Sequence, residues 1–400
     1  MTTQADRMAP SRLARGTILA AATLTIMAPA VVAPSLPTME LVFAAEPGAA
    51  LLVRLAMTIT SLMIAISAPL SGLVADRVGR RPLLVSGLVL YAVSGTAGFF
   101  VTDLYLLVAT RALLGIAIGG VMTAVSATVA DWFDGRRRAS FLGLQQAFAS
   151  LGGVVFLSLS GVLATISWRV PFWLYSLAAV VALFAIIAVR DGPREPSGGT
   201  AGRARVAGRV FGIYALALGV TLAFYLAPTQ IPFLLGNLGI GPAIVGVVLA
   251  GSTLTAMLGA LGFPVLRRRL RFAAIMTVSV ALLGAGWLLV GNTGTVFGTA
   301  AGLLVGGVGV GLAVPNATLR LSELAPPDLR GRVLSGLVTG IFLGQFLSPL
   351  AAQPLIEAIG VGDVFTLAGI AMVTGAAIAA AGTRKRNTDR NRTTTSQTRY

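Results

Sequence analysis

The chain has 400 residues, of which 56% are hydrophobic and only 11% are charged. A water-soluble protein of this length needs far more charge to cover its surface, so the composition excludes an ordinary soluble domain. The chain contains neither Cys nor His, which excludes disulfides, thiolate chemistry and the commonest metal ligands. The basic residues behind its net charge of +16 lie mostly in the segments that precede, separate and follow the apolar runs, so the charge does not indicate nucleic-acid binding.

The apolar runs last about twenty residues, the length that an α-helix needs to cross a hydrocarbon core of ~30 Å. Strands of a membrane β-barrel would instead alternate apolar and polar residues over about ten positions. We therefore predict an all-α membrane protein with twelve transmembrane helices in two pseudo-symmetric six-helix bundles. The predicted spans cover residues 17–37, 50–74, 83–101, 105–129, 139–163, 169–189, 210–235, 242–266, 272–291, 296–319, 332–356 and 362–382.

The Lys and Arg residues are concentrated on one side of these spans. With the N-terminus inside, all of them except Arg54, Arg111 and Arg169 fall in cytoplasmic segments. This positive-inside asymmetry predicts an even number of spans and a multi-pass protein of the cell inner (plasma) membrane with both termini cytoplasmic. The first span also resembles a cleavable secretory signal. Cleavage would put the termini on opposite faces, so a retained span is favoured.

One long polar segment interrupts the chain, between Arg190 and Arg209. Its Pro, Ser and Gly residues predict a flexible linker between two halves. Corresponding positions in the halves, such as Asp131 and Glu323, indicate a transporter built from repeats. The predicted units are a cytoplasmic N-terminal tail (1–16), an N-terminal six-helix bundle (17–189), a cytoplasmic linker (190–209), a C-terminal six-helix bundle (210–382) and a disordered cytoplasmic tail (383–400).

The turn after the second predicted span combines two glycines, an acid and three arginines within ten residues. This set comprises Gly72, Asp76, Arg77, Gly79, Arg80 and Arg81. Positive-inside loading alone would explain the arginines but not the spacing of the glycines and the acid. The pattern resembles the loop between spans 2 and 3 of the major facilitator superfamily. The resemblance implies an alternating-access transporter in which these residues, with Asp131, form a cytoplasmic gate or latch between the halves.

A second pattern, in the fourth predicted span, places Arg111 shortly before Gly115 and Gly119. A guanidinium among lipid-facing residues costs several kcal/mol, so we expect Arg111 to face the bundle interior or a watery cavity rather than to snorkel to the headgroups. The pattern resembles the basic motif of span 4 in the same superfamily, which implies a role in proton coupling or substrate binding. Glu40, near the outer end of the first span, is the best candidate acid to accompany Arg111, although an acid solvated in an outer loop is the favoured interpretation. Arg54 is interpreted as an outer-surface anchor.

Polar residues near the middle of other spans are candidates for substrate contact, namely Gln146, Tyr225, Asn316 and Gln345. Interhelical hydrogen bonding explains each of them equally well. We predict a secondary transporter of a small solute, with proton-coupled efflux of drugs or metabolites as the first hypothesis. An importer or facilitator for a sugar, amino acid or organic anion is the alternative, and Arg111 in the cavity would favour an anion.

The expected partners are a small-molecule substrate, protons and the lipid bilayer, with no nucleic acid, and the protein is expected to be a monomer. No nucleophile–base pair, metal cluster or phosphate-binding loop is visible in the sequence. We therefore expect no enzymatic activity, no cofactor and no metal site.

Overall fold

The computed structural model describes residues 10–133, 135–190, 208–326 and 329–397, with only the backbone at positions 29, 76, 135, 136, 139, 208, 209, 330 and 382–397. This part of the chain consists of α-helices joined by short turns. The helices are α1 (Arg12–Val32), α2 (Leu36–Val42), α3 (Ala49–Val78), α4 (Arg80–Ala97), α5 (Leu104–Trp132), α6 (Gly135–Ala164), α7 (Leu177–Ala188), α8 (Gly208–Phe224), α9 (Leu226–Asn237), α10 (Pro242–Arg269), α11 (Phe272–Thr293), α12 (Val296–Leu324), α13 (Arg330–Ile359) and α14 (Val361–Gln397), with 3₁₀ segments at Ala33–Ser35 and Val170–Ser176.

Ten helical stretches in the described part of the chain are long and apolar enough to cross a membrane, and the bent pair α1–α2 would be an eleventh. The remaining long helix, α4, has 18 residues and begins with Arg80 and Arg81, which lower its hydropathy. The prediction of an all-α membrane protein is therefore confirmed. The total of twelve spans stays a prediction.

The first span is bent by 46° between the segments Arg12–Ala28 and Ala30–Val42. Pro34 lies just beyond the bend and has no N–H group, so the carbonyl of Ala30, four residues earlier, lacks its usual helical donor. The Ser160 hydroxyl of α6 lies 3.3 Å from that oxygen and donates to it. A neighbouring helix thus satisfies a carbonyl that the proline leaves without its backbone partner.

Two tyrosines also donate hydrogen bonds to the backbone of this stretch of α1. Tyr91 of α4 donates to the carbonyl of Leu24 at 2.6 Å, and Tyr175 donates to the carbonyl of Ala28 at 2.7 Å. Both hydroxyls are buried, and a buried hydroxyl needs a partner. The position of the first span is therefore fixed partly through its backbone.

Two predicted segments differ from the structure or lie outside it. Helix α14 continues to Gln397, where the composition predicts a disordered tail from residue 383. After Gly382 the sequence contains neither Gly nor Pro to end the helix. Most of the predicted linker (191–207) and of the N-terminal tail (1–9) lies outside the described residues.

The helices before residue 190 pack mainly on one another, and so do those after residue 208. These two groups, called the first and second halves below, meet chiefly where α3 packs on α13 and where α6 packs on α10. We call the end of the molecule with Arg77–Arg81 and Arg267–Arg271 the basic side. The opposite end, with Glu40, Arg54 and Glu357, is the far side.

Candidate functional site

Arg54 of α3 is the centre of the contact between the halves on the far side. It is only 4% exposed. Its Nη1 donates to Glu40 Oε2 at 2.8 Å, and its Nε donates to Gln230 Oε1 at 3.3 Å. Its guanidinium carbon lies 3.9 Å from the centre of the Phe233 ring. Glu40 belongs to the same half as Arg54, whereas Gln230 and Phe233 belong to the other. Arg54 therefore joins the halves by a hydrogen bond and a cation–π contact.

Two interpretations of the sequence are corrected by this arrangement. Arg54 is not an outer-surface anchor, because it is buried between the halves. Glu40, expected to accompany Arg111, forms its ion pair with Arg54. The bend in the first span explains the difference, since α2 turns towards the start of α3 and brings Glu40 to Arg54. Glu40 nevertheless keeps 31% of its side chain exposed.

Glycines bring α6 and α10 into direct backbone contact on the far side. A Cβ atom built on Gly161 would lie 2.6 Å from the carbonyl oxygen of Pro242. One built on Gly246 would lie 2.5 Å from the carbonyl oxygen of Leu157. Neither position has room for a side chain, which is how small residues permit close helix packing in membranes. The far side is therefore closed along this pair of helices as well as around Arg54.

A layer of uncharged polar groups lies between the halves, further along α3. Ser61 donates to Gln345 Oε1 of α13 at 2.8 Å. The buried hydroxyl of Tyr225 interacts with Ser61 but has no hydrogen bond of good geometry. Among the described residues, the side-chain nitrogen of Gln230 in the far-side contact and the hydroxyl of Ser348 on α13 are also buried without a hydrogen-bond partner. Unpaired polar atoms are costly in an apolar setting, so this layer is suited to bind a polar group of a ligand.

Helices α3, α6 and α10, which form the contact between the halves, separate towards the basic side. On α6, Gln146 is exposed, and a Cβ atom built on Gly143 would meet no atom within 4 Å. On α10, Leu261 is 64% exposed. A Cβ atom built on Gly72 of α3 would likewise have open space around it. The contact between the halves is thus closed at the far side and open at the basic side.

The charged turn between α3 and α4 makes its described contacts within the first half. Arg80 forms an ion pair with Asp131 at the end of α5, and Arg81 donates to the carbonyl of Ile186 at 2.6 Å. Gly79 has a φ of 107°, which lets the turn reverse direction without strain. Arg77 is exposed, and the side chain of Asp76 is outside the described part of the chain.

The second half has a related ion pair on the basic side. Arg267 Nη2 lies 3.3 Å from Glu323 Oε1, at the end of α12. Arg320 also binds Glu323, at 3.0 Å. Glu323 is the residue that the repeat pattern aligns with Asp131, so each half ties the end of its fourth predicted span to a basic turn.

Arg111 lies inside the first half, away from the contact between the halves. It is 1% exposed, and its Nη2 donates to the carbonyls of Ser94 and Gly95, both at 2.7 Å. The rings of Phe172 and Tyr175 lie 4.9 Å and 5.0 Å from its guanidinium carbon. Its Nη1 is buried and has no hydrogen-bond partner among the residues that the structure describes. Arg111 therefore does not snorkel to the headgroups, and it connects α5 to α4 and to the second 3₁₀ segment.

The remaining candidates separate into two groups. Tyr225 and Gln345 lie in the polar layer between the halves. Asn316 is 1% exposed and donates to the carbonyl of Phe272 at 3.0 Å, so it fastens α12 to α11. Sequence reasoning missed Gln230, although a glutamine in an apolar span was a usable signal. Among the described residues, no group of three or more His, Cys, Asp or Glu could hold a metal ion.

These features define a multi-pass α-helical membrane protein whose halves meet around a central polar layer. The chain belongs to the Major Facilitator Superfamily, whose family model matches residues 18–349 and 213–399. The family expected from the Gly72–Arg81 turn is confirmed. Its members are transporters, which in general are not enzymes.

Curated relatives match part of the chain. It is 33% identical to a triacylglyceride transporter of Mycolicibacterium smegmatis, over 38% of this chain and 27% of the relative. It is 30% identical to multidrug resistance protein 1 of Bacillus subtilis, over 33% of this chain and 34% of the relative. It is 25% identical to the quinolone resistance protein NorA of Staphylococcus aureus, over 34% of this chain and 35% of the relative. The chain therefore covers about a third, or less, of the length of these relatives.

Solved structures match over nearly the whole chain. The nucleoside transporter NupG superposes with a TM-score of 0.76 at 13% identity, over 92% of this chain and 99% of that protein. A POT family transporter, solved with a thioalcohol-conjugated peptide, superposes with a TM-score of 0.75 at 14% identity, over 93% and 96% of the two chains. At such low identity the likeness shows the fold alone.

Proposed function

We propose that this protein is a secondary active transporter that moves a small molecule across a bacterial plasma membrane by alternating access. The observation that carries the proposal is the contact between the halves, closed around Arg54 and Gly161 and open at the basic side. In such transporters two repeats rock about a central site, so that one side opens as the other closes. Relatives named for multidrug and quinolone resistance support the direction of export.

We further propose twelve spans, with α1–α2 counted as one bent span and α4 as the twelfth. Helix α4 packs between α5 and α7, as a member of the bundle should. This count keeps both termini on the basic side, which is the cytoplasm by the positive-inside rule. The far side then faces outwards, and the structure represents the state open to the cytoplasm. The six-helix bundles are 17–189 and 210–382, joined by the linker 190–209.

The chemistry of the polar layer points to an uncharged substrate. Ser61, Tyr225 and Gln345 offer hydroxyl and amide groups without a formal charge, surrounded by apolar helices. Arg111 was the feature that favoured an organic anion, and it is buried elsewhere in the first half. We therefore propose a largely apolar molecule with a few hydrogen-bonding groups. A screen of such compounds in proteoliposomes, with and without a pH gradient, tests both the substrate class and proton coupling.

A disulfide across the far side should stop transport reversibly. A Cβ atom at Gly236 of α9 would lie 3.8 Å from Cβ of Pro37, the usual separation across a disulfide. Because the chain has no Cys, the Pro37→Cys/Gly236→Cys pair would be the only one available. Oxidation is expected to lower transport in proteoliposomes by more than about tenfold, since a locked far side cannot open. A reductant should restore it.

Each single cysteine variant serves as a control and should transport equally with and without oxidant. If the oxidised double variant were fully cross-linked yet transported normally, the far side would not need to open and alternating access between these halves would be wrong. The extent of cross-linking is read independently from the shift in gel mobility after proteolytic cleavage within residues 191–207.

The Gly72–Arg81 turn and Asp131 are proposed to latch the halves on the cytoplasmic side in the opposite, outward-open state. Carboxylates are stabilised near a helix N-terminus, and in that state Asp76 would approach the start of α13. Asp76→Asn is therefore expected to reduce transport severalfold while the protein still inserts and purifies normally. Transport by Asp76→Asn at the rate of the unaltered protein would contradict the latch.

A further inference from the structure

We propose that Glu40 is a proton-binding site that controls the opening of the far side through its ion pair with Arg54. This inference rests on the alternating-access function proposed above and identifies an acid that links protons to that motion. It concerns the far-side contact of Arg54, Glu40, Gln230 and Phe233, not the polar layer that would hold the substrate.

The first step is the charge balance around Arg54. Only 5% of the Arg54 side chain is exposed, and Glu40 is the carboxylate in direct contact with it. Its other direct contacts in the described part of the chain are with neutral groups: the carbonyl of Ala50, the amide of Gln230 and the ring of Phe233. Removing one partner of a buried ion pair leaves an uncompensated charge, which strongly disfavours the buried arrangement.

The second step is access of protons to Glu40. Its side chain is 31% exposed although the contact around Arg54 is closed. A proton from the far-side solution can therefore reach the carboxylate without prior opening. Protonation removes this negative charge and leaves the guanidinium in direct contact with neutral groups, while Glu357 acts on it from further away. Opening the far side would then hydrate Arg54, because its contacts to Gln230 and Phe233 cross between the halves.

One other titratable group acts on the same guanidinium. Glu357 of α13 interacts with Arg54 electrostatically but not by direct contact, and it accepts a hydrogen bond from Gln353 at 2.9 Å. Helix α9 contacts Arg54 through Gln230 and Phe233, and neither of these side chains is titratable. Glu357 is therefore the matched control, an acid of the opposite half that influences Arg54 from a greater distance than Glu40 does.

The experiment measures distances across the far side by pulsed electron paramagnetic resonance on the full-length protein in lipid nanodiscs. Spin labels are attached at Leu41→Cys and Leu238→Cys, which are 78% and 44% exposed and lie on opposite halves. Leu73→Cys and Val265→Cys, 62% and 64% exposed, report on the basic side. Each pair is measured at about pH 7 and about pH 4.5, across the range in which carboxylates take up protons.

In the otherwise unaltered protein, acidification is expected to raise the population with a long far-side distance severalfold, with a matching shortening on the basic side. Glu40→Gln should show the long distance already at about pH 7 and no further response to acid. Glu357→Gln should keep the response to acid. In an Arg54→Gln variant the neutral side chain needs no counter-charge. Its far-side distance, whether long or short, should therefore not change on acidification.

A short far-side distance in Glu40→Gln at neutral pH, or an unchanged response to acid in that variant, would overturn the proposal. Loss of the response in Glu357→Gln with retention in Glu40→Gln would assign the proton to the other acid and overturn it too. If the unaltered protein changed neither distance under any condition, including addition of transported compound, alternating access itself would fall. Failure of the Glu40 proposal is thus distinguishable from failure of the alternating-access function.

Discussion

A Gly161→Val variant is expected to transport at least about tenfold more slowly than the unaltered protein. The two methyl groups would overlap the backbone of α10 at Pro242, where even a Cβ atom has only 2.6 Å. Overpacking of a tight contact costs about 1–3 kcal/mol, and 1.4 kcal/mol shifts an equilibrium tenfold. In the proposed alternating-access cycle this contact exists only when the far side is closed. The cost therefore destabilises that state alone and shifts the population towards the state in which the far side is open.

The matched control is Gly143→Val on the same helix. A Cβ atom there meets nothing within 4 Å, so the added methyl groups should leave transport within about twofold of normal. Uptake into proteoliposomes is compared at equal amounts of protein that elutes as a single species in size-exclusion chromatography. Equal rates for the two variants would mean that closure along α6 and α10 does not limit the cycle.

An Arg111→Ala variant is expected to fold less stably by about 2–4 kcal/mol. The change removes two short hydrogen bonds, to Ser94 and Gly95, together with the contacts to Phe172 and Tyr175, and leaves a cavity in the first half. Thermal unfolding followed in detergent should show a midpoint several degrees lower. Per folded molecule, transport and its pH dependence should change much less, because Arg111 does not reach the polar layer.

Arg169→Ala provides the comparison for this variant. Arg169 also lies over an aromatic ring, that of Trp168 at 4.2 Å, but its side chain is partly exposed. Its removal should cost below about 1 kcal/mol. Arg111→Met, which refills much of the volume without the charge, should recover part of the stability lost in the alanine variant. A normally stable Arg111→Ala protein that has lost its pH dependence would instead establish a coupling role.

The membrane architecture could be predicted from local features of the sequence. Span length, the one-sided distribution of arginine and the spacing between Gly72 and Arg81 each depend on residues close together in the chain. The ion pairs at Asp131 and Glu323 also lie at positions that correspond between the two halves. Span length can be predicted in this way because in hydrocarbon every span must satisfy its own backbone hydrogen bonds.

The candidate site could not be predicted in the same way. Glu40 reaches Arg54 only because the first span bends by 46°. The prolines of this span permit a bend, but its angle cannot be predicted from them. The rings around Arg111 come from the 3₁₀ segment at Val170–Ser176, which the sequence suggests only as part of a regular span. Which side of the molecule is closed depends on contacts between halves that have no local signature.

The way in which α1 is held affects how freely its sequence can change during evolution. Tyr91, Tyr175 and Ser160 donate to main-chain oxygens of this helix, and every amino acid offers the same oxygen. These three attachments therefore survive replacement of the side chains of α1 itself. A lineage can therefore change the side chains of α1 while the helix keeps its position in the first half.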